Sequence, residues 1–241
     1  MKKTAKIKTA ILCVLVALIV ALGICGYSIL SNGFAIDKDV SIHIDESRNY
    51  DRLLADLQGK GKMKSQRSFE LLASVLGYKN DMKTGNYVIK PDMSTLDLVK
   101  LLKSGAQTPV RITFNNIRTK GDLCKRLTDQ LMIKEDSLKS ILNDESFCES
   151  LGFTSQTIVA MFIPNTYEFY WDVSLDKFLD KMYKEYTKFW NDGRKAKAEA
   201  IGLTPIEVSV LASIVEEECT YSDEYPIVAG LYINRLKKGQ K

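Results

Sequence analysis

The sequence predicts an α+β protein with an N-terminal transmembrane helix, a small αβ module and a mainly helical C-terminal domain. Three observations predict this: one long uncharged apolar run, short helix and strand patterns after it, and helical periodicity through the second half. With 45% hydrophobic residues in 241, the chain has ample material for a core. The expected boundaries are a tail at 1–8, a transmembrane helix at 9–31, a connector at 32–44, the αβ module at 45–107 and the helical domain at 108–241.

The apolar run covers residues 10–30 and contains no charged side chain. As a helix it would be roughly 30 Å long, enough to cross the hydrocarbon core of a bilayer. Lysines at positions 2, 3, 6 and 8 precede it, so the positive-inside rule places the tail in the cytoplasm. A cleaved signal peptide is the alternative, but its apolar core is usually roughly 7–15 residues long. We therefore expect an uncleaved single-pass anchor in the inner membrane, with the following residues on its outer side.

The charge distribution argues against a nucleic-acid partner. The net charge of +4 comes from the four N-terminal lysines, and the remaining chain has 30 basic and 30 acidic residues. A body without net charge has no global basic field for nucleic acid. The single histidine, His43, argues against a zinc site and against histidine-based triads, so no metal or cofactor is expected.

Three cysteines lie outside the apolar run, at positions 124, 148 and 219, without the spacing of metal ligands. We interpret them as small core residues. A Cys124–Cys148 disulfide is the alternative.

The connector ends in SIHI, residues 41–44, which is expected to start the first strand, and the αβ module follows it. Two amphipathic helices follow, YDRLLADLQ and RSFELLASVLGY, and Gly77 is the expected stop of the second. Residues 85–89 then read as a strand. Ser94 begins a helix that should end at Gly105.

The helical domain begins with a predicted strand at residues 109–114. Its most regular helix covers residues 174–190, where apolar and charged residues fall on different faces. Ahead of that helix lies an aromatic segment, FIPNTYEFYW, at residues 162–171. Aromatic rings can stack on sugar faces, but most such stretches are core.

A further helix begins at Thr204, which acts as its cap, with Pro205 at the first helical position and Glu207 completing a capping box. The apolar positions Val208, Leu211, Ala212 and Val215 follow the spacing of one buried helix face.

Three glutamates, at positions 216–218, end this helix. At about 100° per residue, Glu217 points away from the apolar face, whereas Glu216 and Glu218 flank it. A carboxyl beside a buried face has a raised pKa, as a general acid near neutral pH requires. The pattern leaves both flanking residues as candidates. The alternative is an ordinary acidic patch, although acids at a helix C-terminus oppose the helix dipole.

A last helix begins near Pro226 and ends before Gly239. Val228, Leu231 and Tyr232 would form its inner face, extended by Arg235. Asn234 and Arg235 could hydrogen-bond a ligand or brace the preceding loop.

These segments together resemble the endolytic murein transglycosylase (YceG-like) family. The resemblance rests on ASIVEEE at 212–218, VAGLYINRL at 228–236 and FIPNTYEFY at 162–170. Residues 85–105 resemble the LysM-like module that precedes the catalytic region in this family. The family pattern continues beyond the NRL helix into a segment resembling D-P-T-V, so the catalytic domain, 108–241, is expected to be incomplete at its C-terminal end. Cys219 replaces an expected threonine.

The resemblance assigns the catalytic place to Glu218 rather than Glu216. It also implies a set of substrate-binding residues, which are Glu224, Asn165, Thr166, Tyr167, Asn234 and Arg235. The implied activity is cleavage of nascent peptidoglycan glycan strands into 1,6-anhydro-ended products near the membrane, without a cofactor. Peptidoglycan synthases are the implied protein partners. Two alternatives stay open: a glycan hydrolase that uses Glu218 with Glu224 or Glu216, and a non-enzymatic glycan-binding protein of the cell envelope.

Overall fold

The structure is a computed structural model that describes residues 2–115, 117 and 119–240, without the side chains of residues 2–11, 22 and 25. The chain forms two compact units. Unit 1 comprises Met1–Val110 with Tyr170–Asp172, and unit 2 comprises Arg111–Phe169 with Val173–Lys241. Both units mix helices with short strands, so the predicted helix-rich α+β class is confirmed.

The elements of unit 1 follow in chain order as α1 (Lys2–Leu30), β1 (Val40–Ile44), α2 (Tyr50–Gly59), α3 (Gln66–Val75), a 3-10 helix (Tyr78–Asn80), β2 (Gly85–Ile89) and α4 (Thr95–Ser104). Those of unit 2 are β3 (Val110–Thr113, beginning at the last residue of unit 1), α5 (Lys120–Thr128), α6 (Glu135–Asn143), α7 (Glu145–Ser150), a 3-10 helix (Ile158–Met161), β4 (Thr166–Phe169), α8 (Leu175–Phe189), α9 (Asp192–Ala200), α10 (Pro205–Glu218) and α11 (Tyr225–Lys237).

The N-terminal helix α1 contains a stretch, Leu12–Leu30, that is long and apolar enough to cross a membrane. Its large side chains are exposed along most of this stretch, as in a helix whose surroundings are lipid rather than protein. A signal sequence shares these properties. The lysine side chains of the predicted tail, 1–8, lie outside the described residues.

The core of unit 1 forms around an antiparallel strand pair. β1 pairs with β2 from Val40 opposite Ile89 to Ile44 opposite Gly85. The buried side chains Ile42, Tyr87 and Ile89 come from these strands. The predicted strands and helices of the αβ module are all present, because their caps and turns are local. Gly77 and Gly105, for example, have the positive φ angles that favour glycine after a helix.

Unit 1 also contains a segment from much later in the chain, Tyr170–Asp172. The Trp171 ring stacks on the His43 ring with 4.6 Å between ring centroids. The Asp172 carboxylate accepts hydrogen bonds from Thr84 Oγ1 at 2.5 Å and from Gln107 Nε2 at 2.8 Å. Burial lowers the pKa of His43, and this favours the neutral imidazole against Trp171. The end of the aromatic segment is therefore a structural part of unit 1.

Unit 2 has an aromatic core beneath the strand pair β3–β4. Phe178 of α8 is fully buried, with its ring 4.9 Å from that of Phe169 and 6.2 Å from that of Phe162. Phe114 packs edge-on against Phe162 at 5.9 Å. Three of the five aromatic residues in the segment at 162–171 are thus core residues, namely Phe162, Tyr167 and Phe169.

Cys124 and Cys148 are both buried and both free, so the Cys124–Cys148 disulfide is wrong and their interpretation as core residues is confirmed. Cys148 Sγ instead contacts the backbone carbonyl of Leu142 at 3.8 Å. Burial raises the pKa of both thiols, which disfavours the reactive thiolate.

Replacing Phe178 by alanine should destabilise unit 2, because the change leaves a cavity beside the Phe162 and Phe169 rings. We expect the free energy of unfolding to fall by about 3–5 kcal/mol. Urea unfolding followed by circular dichroism measures this. Lys177→Ala, at the exposed neighbouring position, is the control and should change stability by less than about 0.5 kcal/mol. Equal effects of the two substitutions would contradict the described core.

Candidate active site

The helix that carries the three glutamates, α10, begins as predicted. Thr204 Oγ1 accepts from the Glu207 backbone N–H at 3.2 Å, and Glu207 Oε2 accepts from the Thr204 backbone N–H at 2.7 Å. Pro205 occupies the first helical position. The bond from the Thr204 N–H lowers the pKa of Glu207, so the capping carboxylate stays ionised. This cap fixes where α10 starts, and the helix then determines the direction of each later side chain.

One narrow face of α10 is buried, and it is formed by Leu211 and Val215. The helix packs against α11, α9 and the 3-10 helix Ile158–Met161. Val208 is half-buried, whereas Ala212 is exposed. The predicted four-residue face is therefore wrong at Ala212.

Glu218 is the last residue of α10 and lies less than one turn beyond the buried Val215. Its side chain is exposed, as are those of Glu216 and Glu217. The prediction that Glu216 and Glu218 flank a buried face stays a prediction, and the structure leaves both side chains exposed.

The chain after Glu218 turns sharply into α11. Cys219 is extended, and its backbone N–H donates to the Val215 carbonyl at 3.1 Å. Partial burial raises the pKa of the Cys219 thiol, and the charges of Glu224 and Glu218 raise it further. Glu224 also accepts from the Tyr221 backbone N–H at 3.3 Å, which closes the turn. Glu218 and Glu224 thus both act on one thiol within this turn.

Helix α11 packs against α10 and has no buried residue. Its predicted inner face is wrong at Leu231, which is 57% exposed, whereas Val228 and Tyr232 are half-buried. Asn234 is exposed. The Arg235 guanidinium lies over the Tyr232 ring, 5.6 Å from its centroid, which holds the side chain along the helix.

The other predicted site residues lie on the segment between the 3-10 helix and β4. Asn165 and Thr166 are exposed, and the Thr166 hydroxyl lies 2.8 Å from that of Thr113 on β3. Tyr167 is buried against the Phe114 ring, 5.5 Å between centroids, and its hydroxyl donates to the Ile163 carbonyl at 2.8 Å. Burial raises the pKa of Tyr167 to about 12. Its position indicates that it supports the segment from beneath.

An open polar cavity of about 330 Å³ lies beside this segment. It is lined by Asn165, Thr166, Tyr167, Arg111, Glu168, Lys181 and Glu185. Arg111 Nε and Glu168 Oε1 are 3.8 Å apart, and Lys181 Nζ donates to the Glu168 carbonyl at 2.6 Å. The sequence did not predict four of these lining residues, which are Arg111, Glu168, Lys181 and Glu185. Strand alternation was the available signal for two of them, because it places Arg111 and Glu168 on the outward faces of β3 and β4.

The structure therefore presents the predicted site residues in two groups. Glu218, Glu224, Asn234 and Arg235 belong to the α10–α11 helix pair. Asn165, Thr166 and Tyr167 line the polar cavity. The 3-10 helix Ile158–Met161 connects them in the fold, because α10 packs on it and the chain leaves it directly into the second group. Within the described ranges, no three His, Cys, Asp or Glu side chains are arranged to hold a metal ion.

Comparison with known proteins identifies the family of this chain. The family model described as the YceG-like family matches residues 42–241, which include both groups of site residues. The chain belongs to the YceG-like family. The family resemblance inferred from ASIVEEE, NRL and FIPNTYEFY is thereby confirmed.

Two relatives of this YceG-like chain are named endolytic murein transglycosylase. One is from Streptococcus pneumoniae serotype 2 strain D39 and the other from strain R6. Each is 25% identical and aligns with 93% of this chain but with 46% of its own length. The chain thus spans about half the length of these relatives. A crystal structure of a YceG-like protein from Listeria monocytogenes has the same fold, with a TM-score of 0.52, 20% identity, and coverage of 86% of this chain and 73% of that one.

Tyr167→Phe tests whether this tyrosine supports the cavity segment from the core. The change leaves the Ile163 carbonyl without its donor, so we expect a loss of about 1 kcal/mol of stability. The native pKa lies above the usual value near 10, so the phenol contributes stability that is present below pH of about 10 and is lost as pH rises towards about 12. The variant should therefore show a shallower alkaline loss of stability. Tyr170→Phe, at an exposed position, is the control. An unchanged alkaline profile would contradict the assignment.

Proposed function

We propose that this protein is a membrane-anchored lytic transglycosylase that cuts peptidoglycan glycan strands, with Glu218 as its catalytic acid and base. The observation that carries the proposal is the family match over residues 42–241, which includes α10 with its terminal Glu218 and the whole of α11. The names of the two pneumococcal relatives supply the reaction class. We therefore assign the same class of substrate, murein, to this chain.

One carboxyl group is sufficient for the proposed reaction. Protonated Glu218 donates its proton to the glycosidic oxygen between N-acetylmuramic acid and N-acetylglucosamine, and the bond from that oxygen to C1 breaks. The resulting carboxylate takes the proton of the muramyl C6 hydroxyl, whose oxygen bonds to C1. This closes a 1,6-anhydro ring, restores the acid and consumes no water. Hydrolytic glycosidases, by contrast, usually need a second carboxylate for water or for the sugar.

Glu218 is exposed in the free chain, and its protonated form must be favoured once substrate is bound. A glycan strand lying across the α10–α11 turn would remove water from this carboxyl. Desolvation disfavours the charged form and raises a carboxyl pKa.

The remaining residues are assigned to substrate binding. Glu224, Asn234 and Arg235 offer hydrogen-bonding groups on the helix pair, and Asn165 and Thr166 offer them at the polar cavity. Sugars present many hydroxyls, so such a site needs many hydrogen-bonding groups. Tyr167 contributes by holding the segment of Asn165 and Thr166 in place through its buried ring.

The anchor and the first unit complete the proposal. We assign α1 as a single-pass anchor in the inner membrane, with residues 1–8 in the cytoplasm and the residues after α1 on the outer side. Residues 45–107 serve as a LysM-like module, and residues 108–241 belong to the catalytic domain. An enzyme held at the membrane meets glycan strands as they emerge, so the cut would limit the length of nascent strands. Peptidoglycan synthases are the corresponding protein partners.

A glycan hydrolase is the second candidate, and one observation favours it. Glu218 and Glu224 both lie close enough to Cys219 to raise the pKa of its thiol, so two carboxylates share one turn. Such a pair could provide an acid and a base for hydrolysis. The two reactions differ in their products, because only hydrolysis places an oxygen atom from water in the new sugar end.

Glu218→Gln should lower glycan cleavage by at least about a hundredfold, because amide cannot donate or accept the transferred proton. The substituted side chain is exposed, so the melting temperature should remain unchanged. Cleavage is measured as solubilisation of purified sacculi. Glu217→Gln, at the neighbouring exposed position that points away from the apolar face, is the matched control and should retain activity. The reverse result, or a major loss in Glu216→Gln instead, would reject Glu218 as the catalytic residue.

Digestion in heavy-oxygen water should give 1,6-anhydro-ended muropeptides without heavy oxygen, as measured by mass spectrometry. Labelled reducing ends would instead assign hydrolysis. Glu224→Gln separates the roles of the two carboxylates: it should weaken substrate binding under the lyase proposal and abolish turnover under the hydrolase alternative. Binding to sacculi that persists in Glu218→Gln, without solubilisation by the wild type, would assign a non-enzymatic glycan-binding protein.

A further inference from the structure

The chain enters unit 1 immediately after the apolar helix α1. Asn32, two residues beyond the end of α1, forms a bridge with Ser94, and Phe34 forms one with Met63. The Gly33 backbone N–H donates to the Met93 carbonyl at 3.0 Å. The Lys64 backbone N–H donates to the Gly33 carbonyl at 2.9 Å. No flexible linker therefore separates the end of α1 from the turn that contains Met63.

The last turn of α1 also contacts the start of α3. Ser28 Oγ lies 2.9 Å from Ser68 Oγ, and α1 packs against both α3 and α4. On the same turn of α1, Tyr27 is 76% exposed and Leu30 is 67% exposed. An exposed tyrosine and leucine at the end of an apolar helix are typical of the membrane interface. The N-terminal part of α3 thus lies at the level where α1 would leave the bilayer.

Three unpaired cations stand at this same level. Lys62, Lys64 and Arg67 are exposed, and none forms an ion pair within the described part of the chain. Lys64 Nζ donates to the Asn32 carbonyl at 3.1 Å, which ties one cation directly to the exit of α1. Lys60, the fourth cation of residues 60–67, is paired with Asp56 at 3.0 Å.

An open cavity of about 470 Å³ lies between these side chains, lined by Lys64, Ser65, Gln66, Arg67 and Glu70. The Glu70 carboxylate accepts a hydrogen bond from Gln66 Nε2 at 2.7 Å. One carboxylate against three cations leaves the surface positive. Residues 60–67 contain no acidic residue, although the body of the chain beyond the N-terminal lysines has equal numbers of both signs.

Most cation clusters on protein surfaces are solvated faces without a partner. The cluster of Lys62, Lys64 and Arg67 differs from such faces because it lies close to the end of the proposed membrane helix. Asn32 is two residues past α1, and two extended residues span at most about 7 Å. That distance is within the Debye length of about 8–10 Å at physiological ionic strength, so charges here act on a charged bilayer surface.

We propose that Lys62, Lys64 and Arg67 form a contact surface for the phosphate headgroups of anionic phospholipid in the outer leaflet of the membrane that α1 spans. The proposal rests on the proposed role of α1 as a membrane anchor. Lysine and arginine beside an anionic bilayer each strengthen association, and three together would hold unit 1 against the surface. The contact would fix the orientation of unit 1 on the bilayer as well as its attachment.

Hydrogen–deuterium exchange of the full chain in lipid nanodiscs tests this surface. One set of discs contains phosphatidylcholine alone, and the other also contains phosphatidylglycerol. Backbone amides of residues 60–70 should exchange more slowly in the phosphatidylglycerol discs. The triple variant Lys62→Gln, Lys64→Gln, Arg67→Gln should lose this difference. Each cation should contribute a factor of about five to the affinity of this surface for the anionic bilayer.

The matched control removes three exposed lysines from unit 2 by the substitutions Lys188→Gln, Lys195→Gln and Lys197→Gln. It lowers the net charge equally and should keep the slow exchange. Equal exchange of residues 60–70 in both lipids, or slow exchange that survives the triple variant, would overturn the proposal. Protection that rises with the number of chains per disc in either lipid would assign the surface to a second copy instead, which also overturns it.

The same experiment reports separately on the anchor. Amides of residues 12–30 should be protected in both lipids if α1 spans the disc. Fast exchange there would reject the anchor and the contact surface together. Protected α1 amides with no lipid-dependent change at residues 60–70 would reject the contact surface alone.

Discussion

The position of Glu218 depends on the contact between α10 and the 3-10 helix Ile158–Met161. Within the described residues, Leu211 and Val215 are the buried side chains of α10. A helix advances about 1.5 Å per residue, so the seating of Val215 fixes the height and direction of Glu218 three residues later. The capping box at Thr204 fixes the other end of the helix. A proposed acid and base that is itself exposed thus takes its position from two buried apolar side chains.

The same 3-10 helix leads into the segment that carries Asn165 and Thr166. That segment is held from below by aromatic packing, with Tyr167 against Phe114 and Phe169 against Phe178. Strand alternation in β4 buries Tyr167 and Phe169 and therefore exposes Thr166 and Glu168 at the polar cavity. The two faces of β4 thus serve different purposes: one packs into the aromatic core and the other carries polar residues. Packing of the buried face determines the direction in which the polar side chains point.

In unit 1 the constraint is the short path from α1 into the fold. Bridges at Asn32 and Phe34 begin within four residues of the end of α1. A membrane anchor joined this directly would leave unit 1 little freedom to move away from the bilayer. The short connection would keep Lys62, Lys64 and Arg67 close to the bilayer, where lipid phosphate groups are their proposed partners.

The sequence by itself determined most elements of the fold and the identity of the family. β1, β2, α4, α8 and α10 were predictable because strand alternation, helix periodicity, caps such as Thr204 and stops such as Gly105 act over a few residues. The motif around Glu218 likewise identified the family, because it is local.

Only the tertiary structure decided which faces are covered. Periodicity predicted that Ala212 and Leu231 face inward, yet both are exposed, because burial depends on which elements lie nearby and not on the helix alone. Two further features could not be predicted from the sequence. Trp171 and Asp172 belong to unit 1, and Arg111 and Lys181 line one cavity. Each joins residues far apart in the chain, and no local pattern encodes such contacts.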